Sequence, residues 1–558
     1  MDGPVTLDAY HFHEQEWGNY DELYDFFEWQ VPDSFNMADY VCDRWAEESD
    51  RVAIYGETAD GDRETHTFAD LRDITNRLAN FLQVRGVERG DRVGVALPQR
   101  PETVMAHLAI FKLGAVSVPL STLFGPDALA YRFGDCDITA CFVDEASIAA
   151  VREARSAVDG LETVVTVGDA GALDDEIDFE AAQTDRSTTF ETVSTDPEET
   201  AIILYTSGTT GRPKGVVHGH RLLLGFLPTI LTTICNLELN PDDVFWSPSE
   251  WAWIGTLYLV VFPPLFYGQP ALAYNGGPFD PEIAFDLIDR YGITQFFAPP
   301  TALRMMMQVD PAKVGADVSG LRTITSGGEA LGPSIVDWVD ETFAGAAIND
   351  WYGQTEADPI VTSCAAIMEY REGRVGKLSL GVEATVLDPE THEELPPDEV
   401  GEIAVRYEPS KPVCFKEYWN KPKKTAEKVQ DGWLLTEDLG AQDEDGFVAF
   451  HGRMDDVIIS AGYRIGPEEI EESLAGHEAT VDAAVIGIPD DERGEVPKAF
   501  VVLRSGVEPG PPLADELKTH VRDRLAKYKY PREIAFVDEL PKTVTGKIRR
   551  HELRDREI

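Results

Sequence analysis

The chain has 558 residues, too many for one ordinary domain, and its 43% hydrophobic content with 10 tryptophans excludes a disordered protein. Its 48 basic and 100 acidic residues leave a formal charge of −52, which repels nucleic acid and anionic membranes and argues against both as partners. The acidic residues run along the whole chain rather than in one tail, so the charge points to a salt-rich cytoplasm that screens it and says nothing of the reaction.

Met1 is followed by neither a basic start nor an apolar core, so no signal peptide is expected. The longest apolar run, "IGTLYLVVFPPLF" (254–266), is too short and too proline-broken to insert into a membrane. Six cysteines without a CxxC pair exclude a zinc ribbon and argue against a disulfide framework. These features together predict a reduced, cytoplasmic protein.

In chain order, "DLRDITNRLANFLQVRG" (70–86) puts Leu71, Ile74, Leu78, Phe81 and Leu82 on one helical face and ends on Gly86. "RVGVALP" (92–98) reads as a buried strand, "PETVMAHLAIFKLG" (101–114) as a helix and "AVSVPL" as another strand. "ACFVD" and "ASIAAVREA" repeat the alternation, which implies parallel sheets with helices on both faces. Residues 168–199 are acidic and aperiodic and read as a surface connection. A second alternating block runs through "PEIAFDLIDRYG" (281–292), "TQFFAPP" and "LRTITSGGEAL". From about 381 short β runs with turns predict a smaller β subdomain, and a compact α+β tail follows "GRMDD" (452–456). The expected fold class is therefore α/β: two parallel-sheet subdomains and a small β subdomain over residues 1–453, then a small C-terminal α+β domain over 458–558.

Between these blocks stands "YTSGTTGRPKG" (205–215), a loop rich in glycine and hydroxyls. It is not a P-loop: Pro213 stands where the second glycine belongs, and Lys214 is followed by Gly215 rather than by Ser or Thr. Thr206, Ser207, Thr209 and Thr210 nevertheless supply hydroxyls, Gly208 and Gly211 allow tight turns that aim amides at an anion, and Lys214 adds a point charge.

The run resembles the phosphate loop of the adenylate-forming superfamily, and further motifs follow in that superfamily's order: "SGGEAL" (326–331), "DWYGQTE" (350–356), "TEDLG" (436–440), "GRMDDVIISAGYRIGPEEIE" (452–471) and "PKTVTGKIRR" (541–550). The texture is most similar to medium-chain acyl-CoA synthetases. The resemblance implies an AMP-forming acid–CoA ligase: ATP and a carboxylate give acyl-AMP and pyrophosphate, then the thiol of coenzyme A gives acyl-CoA and AMP. An ionised acid needs no general base for the first step, so the site must supply position and positive charge.

By the same resemblance, Gly327, Gly328 and Glu329 line the adenine side, and Asp350, Trp351 and Tyr352 cover the base, followed by Gly353 and Gln354. Thr355 bonds the α-phosphate, and Glu356 binds Mg²⁺ through hard carboxylate oxygens. Asp438 accepts from the ribose, with Arg453 beside it; the superfamily often has Thr-Gly-Asp where this chain has Thr436-Glu437-Asp438. Asp455, within 454–457, is the hinge on which the C-terminal domain swings, and Lys547 reaches the site during adenylation. Ser460, Ala461 and Gly462 lie along pantetheine, and Arg464 contacts phosphate or pantetheine. Twelve of the sixteen lysines stand at or after Lys411, and Arg493, Lys498, Lys529 and Arg532 are candidates for the CoA phosphates.

The acid is read from two places. Acetyl-CoA synthetases carry a second tryptophan where Gly353 stands, so the glycine is expected to open volume for methylenes. Trp251 and Trp253 in "SPSEWAWIGTLY" (247–258) fall on the superfamily's pocket helix, and the extra Trp251 narrows the tunnel. Both together predict an acid of intermediate size. Transfer to a carrier protein and a short-chain acetate or propionate ligase remain alternatives.

Overall fold

The computed structural model describes residues 7–48, 50–206, 212–328, 331–454, 456, 458–460, 463–490, 493–525, 529–542 and 548–557. Among these, the strands form four sheets. The helix Phe68–Val84 illustrates how local chemistry starts each element: the Thr67 hydroxyl accepts from Asp70 N–H while the Asp70 carboxylate accepts from Thr67 N–H, and Leu71, Leu78, Phe81 and Leu82 then face inward. Pro281–Tyr291 is likewise opened by Asp280, whose side chain accepts from Glu282 and Ile283, and closed by Gly292 at φ 59°.

The first sheet has eight strands and is parallel through its centre, where Arg92–Ala96 lies between Val116–Pro119 and Ile138–Val143. Its edge turns antiparallel: Thr200–Thr206 pairs with Lys214–Gly219, which pairs in turn with Glu417–Tyr418. The second sheet has nine strands and is again parallel in its middle, through Gln295–Phe297, Thr323–Gly327 and Ala347–Gln354. Short buried strands of this kind carry apolar residues at successive positions because helices cover both faces.

Part of the segment expected to be a surface connection belongs to the first sheet. Ile177–Asp178 pairs in parallel with Thr163–Thr166, and Asp178 caps the short helix Phe179–Gln183. Two residues of strand and five of helix are too short to show a period, which is why composition alone reads them as loop.

The apolar run 254–266 is a helical stretch, buried except at the half-buried Gly255, with a π-helical turn at Leu257–Val261 ahead of Pro263 and Pro264. No helix among the described residues is long and apolar enough to cross a membrane. All six cysteines are buried free thiols.

A third sheet is antiparallel and built from Ala384–Leu387, Gly401–Arg406, Val429–Gln430, Trp433–Gln442 and Val448–Arg453. The fourth begins at Ile458–Ser460, so the two sheets change over between 453 and 458. It carries the hairpin Thr480–Asp490 and Gly494–Leu503, with Pro467–Ala475 and Pro511–Arg524 packed on it. The chain is thus a large α/β unit with a β annex, followed by a small α+β domain.

Candidate active site

The strand ends of the first two sheets, the β annex and one face of the C-terminal domain enclose a cleft of about 2770 Å³. Its size exceeds the usual small-molecule pocket because it lies between two domains.

At its floor, Thr206 and Lys214 are register partners at the tip of the hairpin, and the loop 207–211 between them, with Ser207, Gly208, Thr209, Thr210 and Gly211, lies outside the described residues. The approach is anchored from outside, since the Tyr131 hydroxyl donates to the Pro213 carbonyl at 2.9 Å. Lys214 Nζ donates to the Tyr418 hydroxyl at 3.2 Å, and that hydroxyl donates to Glu356 Oε1 at 2.6 Å. Burial holds the Lys214 amine below its ordinary pKa, and the nearby Glu356 carboxylate opposes the shift.

Tyr418 is the residue that sequence reasoning missed. It enters the site only because Glu417–Tyr418 adds an edge strand to Lys214–Gly219, with Tyr418 opposite Val216. No spacing signal in "FKEYWNKP" announces that pairing.

The run Asp350–Glu356 crosses the cleft on the strand Ala347–Gln354 and the turn after it. Its groups are fixed from several sides. His218, fully buried and pushed down to about 3 by desolvation, sits with Nε2 at 2.7 Å from the Thr355 carbonyl. A neutral imidazole bonded to a carbonyl must present its N–H there. The Tyr352 hydroxyl and the Gln354 amide both donate to Asp438 Oδ2, at 2.7 and 2.5 Å, so the two motifs are wired together. Asp438 is in register with Arg453 across the annex. Burial pushes the Asp350 carboxyl well above the usual carboxylate range, and its Oδ1 accepts from Trp351 N–H.

Glu437 occupies the place of the family's glycine with φ 62°. The turn is therefore kept in the left-handed region despite the side chain, held by Glu437 N–H to Glu402 Oε1 at 2.7 Å.

Trp351 is 7% exposed and folds across Gly327: a Cβ there would lie 2.4 Å from the indole Nε1, so only glycine fits. The far edge of the indole faces Gly255 on the pocket helix. Trp253 lines the cleft, half-buried, whereas Trp251 is 1% exposed and packs in the main core away from the lining. Trp251 thus does not sit where the narrowing argument put it: it lies in the turn before the pocket helix and is buried among the main core's apolar side chains. Gly353 lines the cleft, but a Cβ on it would meet Asp358 Oδ1 at 2.3 Å. Its glycine therefore serves a close approach to that carboxyl.

Gly328 lines the cleft with φ 86°; Glu329 lies outside the described residues, as do Asp455, Ala461, Gly462 and Lys547 and the side chain of Arg464. Lys542 and Ile548, which flank 543–547, form a bridge and both line the cleft. The CoA candidates are not gathered there. Ser460 is buried opposite Gly494, Arg493 is exposed with its N–H on Asp490, and the Arg532 guanidinium rests on the Tyr530 ring at 4.2 Å. Lys498 pairs with Glu557 at 2.6 Å and Lys529 with Glu469.

Comparison with known proteins gives a consistent picture. Residues 42–419 match the family described as AMP-binding enzyme, and residues 469–547 match AMP-binding enzyme C-terminal domain. The chain is 35% identical over 545 residues to acyl-coenzyme A synthetase ACSM4, mitochondrial, of Homo sapiens, covering 94% of this chain and 91% of that protein. It is 34% identical to acetyl-coenzyme A synthetase of Bacillus subtilis (strain 168), covering 97% and 95%. Among solved structures, the acyl-CoA synthetase of Brucella canis superposes with a TM-score of 0.74 at 36% identity, covering 97% of this chain and 99% of that one. The anthranilate CoA ligase AuaEII in complex with anthranoyl-AMP gives a TM-score of 0.87 at 28% identity, covering 94% and 98%.

Proposed function

We propose, for a chain that belongs to the AMP-binding enzyme family and is an AMP-forming acid–CoA ligase, that its acid is of intermediate size, whether aliphatic, branched or aromatic. The observation that carries this reading is the indole of Trp351, lying over Gly327 and reaching towards Gly255 beside Trp253. In this reading the Trp351 indole, expected from the sequence to cover the base, instead shortens the volume behind the reacting carboxylate, while the glycines on either side leave it flat walls. Relatives named for acetate and for anthranilate bracket the same size range.

In this reading the acid's oxygen attacks the α-phosphorus of ATP, pyrophosphate leaves, and the CoA thiol then displaces AMP from the mixed anhydride. Thr206, Lys214 and the loop 207–211 hold the β- and γ-phosphates, and Thr355 holds the α-phosphate. Tyr418 keeps Lys214 and Glu356 at a set separation through its two hydrogen bonds. Asp438 and Arg453 take the ribose, with Tyr352 and Gln354 orienting the aspartate. Lys547 brings its charge to the developing pyrophosphate, and the described residues on either side of 543–547, Lys542 and Ile548, line the cleft. Hydrogen bonds and charges preset in this way need no rearrangement as phosphorus becomes crowded.

Glu356, 8% exposed, is a hard oxygen donor whose hydrogen bond among the described residues comes from Tyr418, and it fits a Mg²⁺ ligand. The ion would supply charge neutralisation at the phosphates. The C-terminal domain turns on 454–457 between the half-reactions and then brings Ser460, Ala461, Gly462, Arg464, Arg493 and Arg532 to CoA. The protein works in concentrated salt, which its charge of −52 calls for.

The test is acid-dependent ATP–pyrophosphate exchange in concentrated KCl without CoA, from acetate to dodecanoate with branched and aromatic acids. Exchange should peak at intermediate acids, and Trp351→Gly should move the peak to longer ones, by about fourfold in kcat/KM for each methylene newly buried. A peak at acetate, or an unmoved profile in Trp351→Gly, would place the wall elsewhere. CoA-dependent AMP release without any carrier protein separates a CoA ligase from a carrier-loading enzyme.

A further inference from the structure

Outside the cleft's lining, near the start of the described chain, two short 3₁₀ turns follow one another, Asp8–Tyr10 and Phe12–Glu14, with His11 between them. Side chains three apart eclipse in such a helix, and His11 Nδ1 accordingly lies 3.8 Å from Glu14 Oε1. His13 comes to the same place from the next position, so one ligand atom from each of His11, His13 and Glu14 falls within 4.8 Å of the others. Among the described residues, theirs is the one group of at least three potential metal donors so close together.

The scaffold beneath them is fixed. Both imidazoles stand edge-on to the ring of Tyr267, at 5.7 and 6.1 Å, and the Tyr267 hydroxyl donates to the Tyr10 carbonyl at 2.8 Å. His13 Nδ1 is buried and has no hydrogen-bond partner. A buried ring nitrogen without a partner is costly, and an ion bound to it would relieve that cost. Glu14 is exposed and able to swing inward.

We propose that His11, His13 and Glu14 form a site for a borderline divalent cation of the zinc class, independent of the ATP-dependent chemistry. Two imidazoles and one carboxylate suit such an ion, and tetrahedral bonds of about 2.0–2.2 Å set donors about 3.4 Å apart, so side chains now within 4.8 Å close by up to about an ångström through rotation. Three protein ligands leave one tetrahedral position for water. The ion would clamp the N-terminal turns onto Tyr267, directly behind the helix Phe262–Phe266.

The experiment uses the untagged full-length protein, stripped with chelator and titrated with Co²⁺ as a spectroscopic probe, followed by Zn²⁺ as competitor. The expected result is the absorption of tetrahedral Co²⁺ at one ion per chain, displaced by Zn²⁺ and not by excess Mg²⁺. His13→Ala should weaken binding by more than about 100-fold, beyond what loss of a supporting outer partner costs. Acid-dependent ATP–pyrophosphate exchange should persist in that variant, which shows that it folds. Should His13→Ala fail to fold, the exposed Glu14→Gln is read instead, with an expected loss of at least about tenfold. Absence of the tetrahedral spectrum, or the same affinity in the variants as in the wild type, overturns the proposal.

Discussion

On the N-terminal wall of the cleft, Tyr352, Gln354 and Tyr418 tie Asp438 and Glu356 through hydrogen bonds of 2.7, 2.5 and 2.6 Å. On the C-terminal wall the fastening is ionic. Arg550 opens the last helix, Arg550–Asp555, with Asp456 at 3.0 Å, Glu471 at 2.8 Å and Glu468 at 3.3 Å around its guanidinium. Arg554 reaches Asp456 from the next turn at 2.8 Å. Burial pushes Glu468 and Glu471 above the usual carboxylate range, while the Arg550 charge opposes it. The two walls are thus fastened by different forces. Directional hydrogen bonds fix the Asp438 and Glu356 carboxylates in place, whereas the charge cluster ties Asp456, the helix Pro467–Ala475 and the terminal helix to one another.

The sharpest test of that contrast removes the lysine that the C-terminal domain is proposed to deliver. Lys547→Ala should lower acid-dependent ATP–pyrophosphate exchange by about 10²–10³-fold, while thioester formation from supplied acyl-adenylate is largely kept. Equal loss in both half-reactions would mean that the lysine serves the fold or both steps alike. Next, Arg550→Met should leave three carboxylates facing one another and destabilise the C-terminal domain by about 3–5 kcal/mol, read from its unfolding midpoint. An unchanged midpoint would show that the cluster contributes nothing.

A smaller effect is expected from pH. Glu472 lies against Gly332, on the helix Pro467–Ala475, and is raised to about 7, chiefly by burial and then by the Glu372 carboxylate, with Arg304 opposing. A carboxyl raised in the fold stabilises it below the ordinary carboxylate value, and that contribution fades as pH climbs towards about 7. Contact between the two domains should therefore weaken from pH 6 to pH 8, seen as a few-fold faster proteolysis in 454–457, and Glu472→Gln should flatten the profile. A profile as steep in Glu472→Gln as in the wild type would assign it to another group.

The smallest change concerns the N-terminal wall. Glu437 is held at φ 62°, where glycine carries no Cβ penalty, so Glu437→Gly should stabilise that turn by about 1 kcal/mol. Loss of its pairs with Lys428 at 3.6 Å and Arg453 at 3.4 Å offsets little, since both involve a half-exposed carboxylate. Destabilisation on equilibrium unfolding would show that these pairs outweigh the backbone.

Much of this protein was legible from neighbouring residues alone. The alternation of elements, the phosphate hairpin and the Asp350–Glu356 run depend on chemistry within a dozen positions, and such patterns survive in the linear text. What depended on register across sheets did not. Tyr418 meets Glu356 across 62 positions and His218 meets Thr355 across 137, because separate strands happen to lie side by side. Nor does any local pattern show that Lys112, the first lysine of the chain, is fully buried with Nζ at 2.6 Å from both Asp43 and Asn76. The proposed acyl wall shows the same division. Sequence offered Gly353 as the opening of the pocket and Trp251 as its narrowing, with Trp253 on the pocket helix, and the fold sent Trp251 into the core, turned Gly353 towards Asp358 and laid Trp351 over Gly327. Side-chain direction on a strand is decided by which face is buried, and only the assembled sheets decide that.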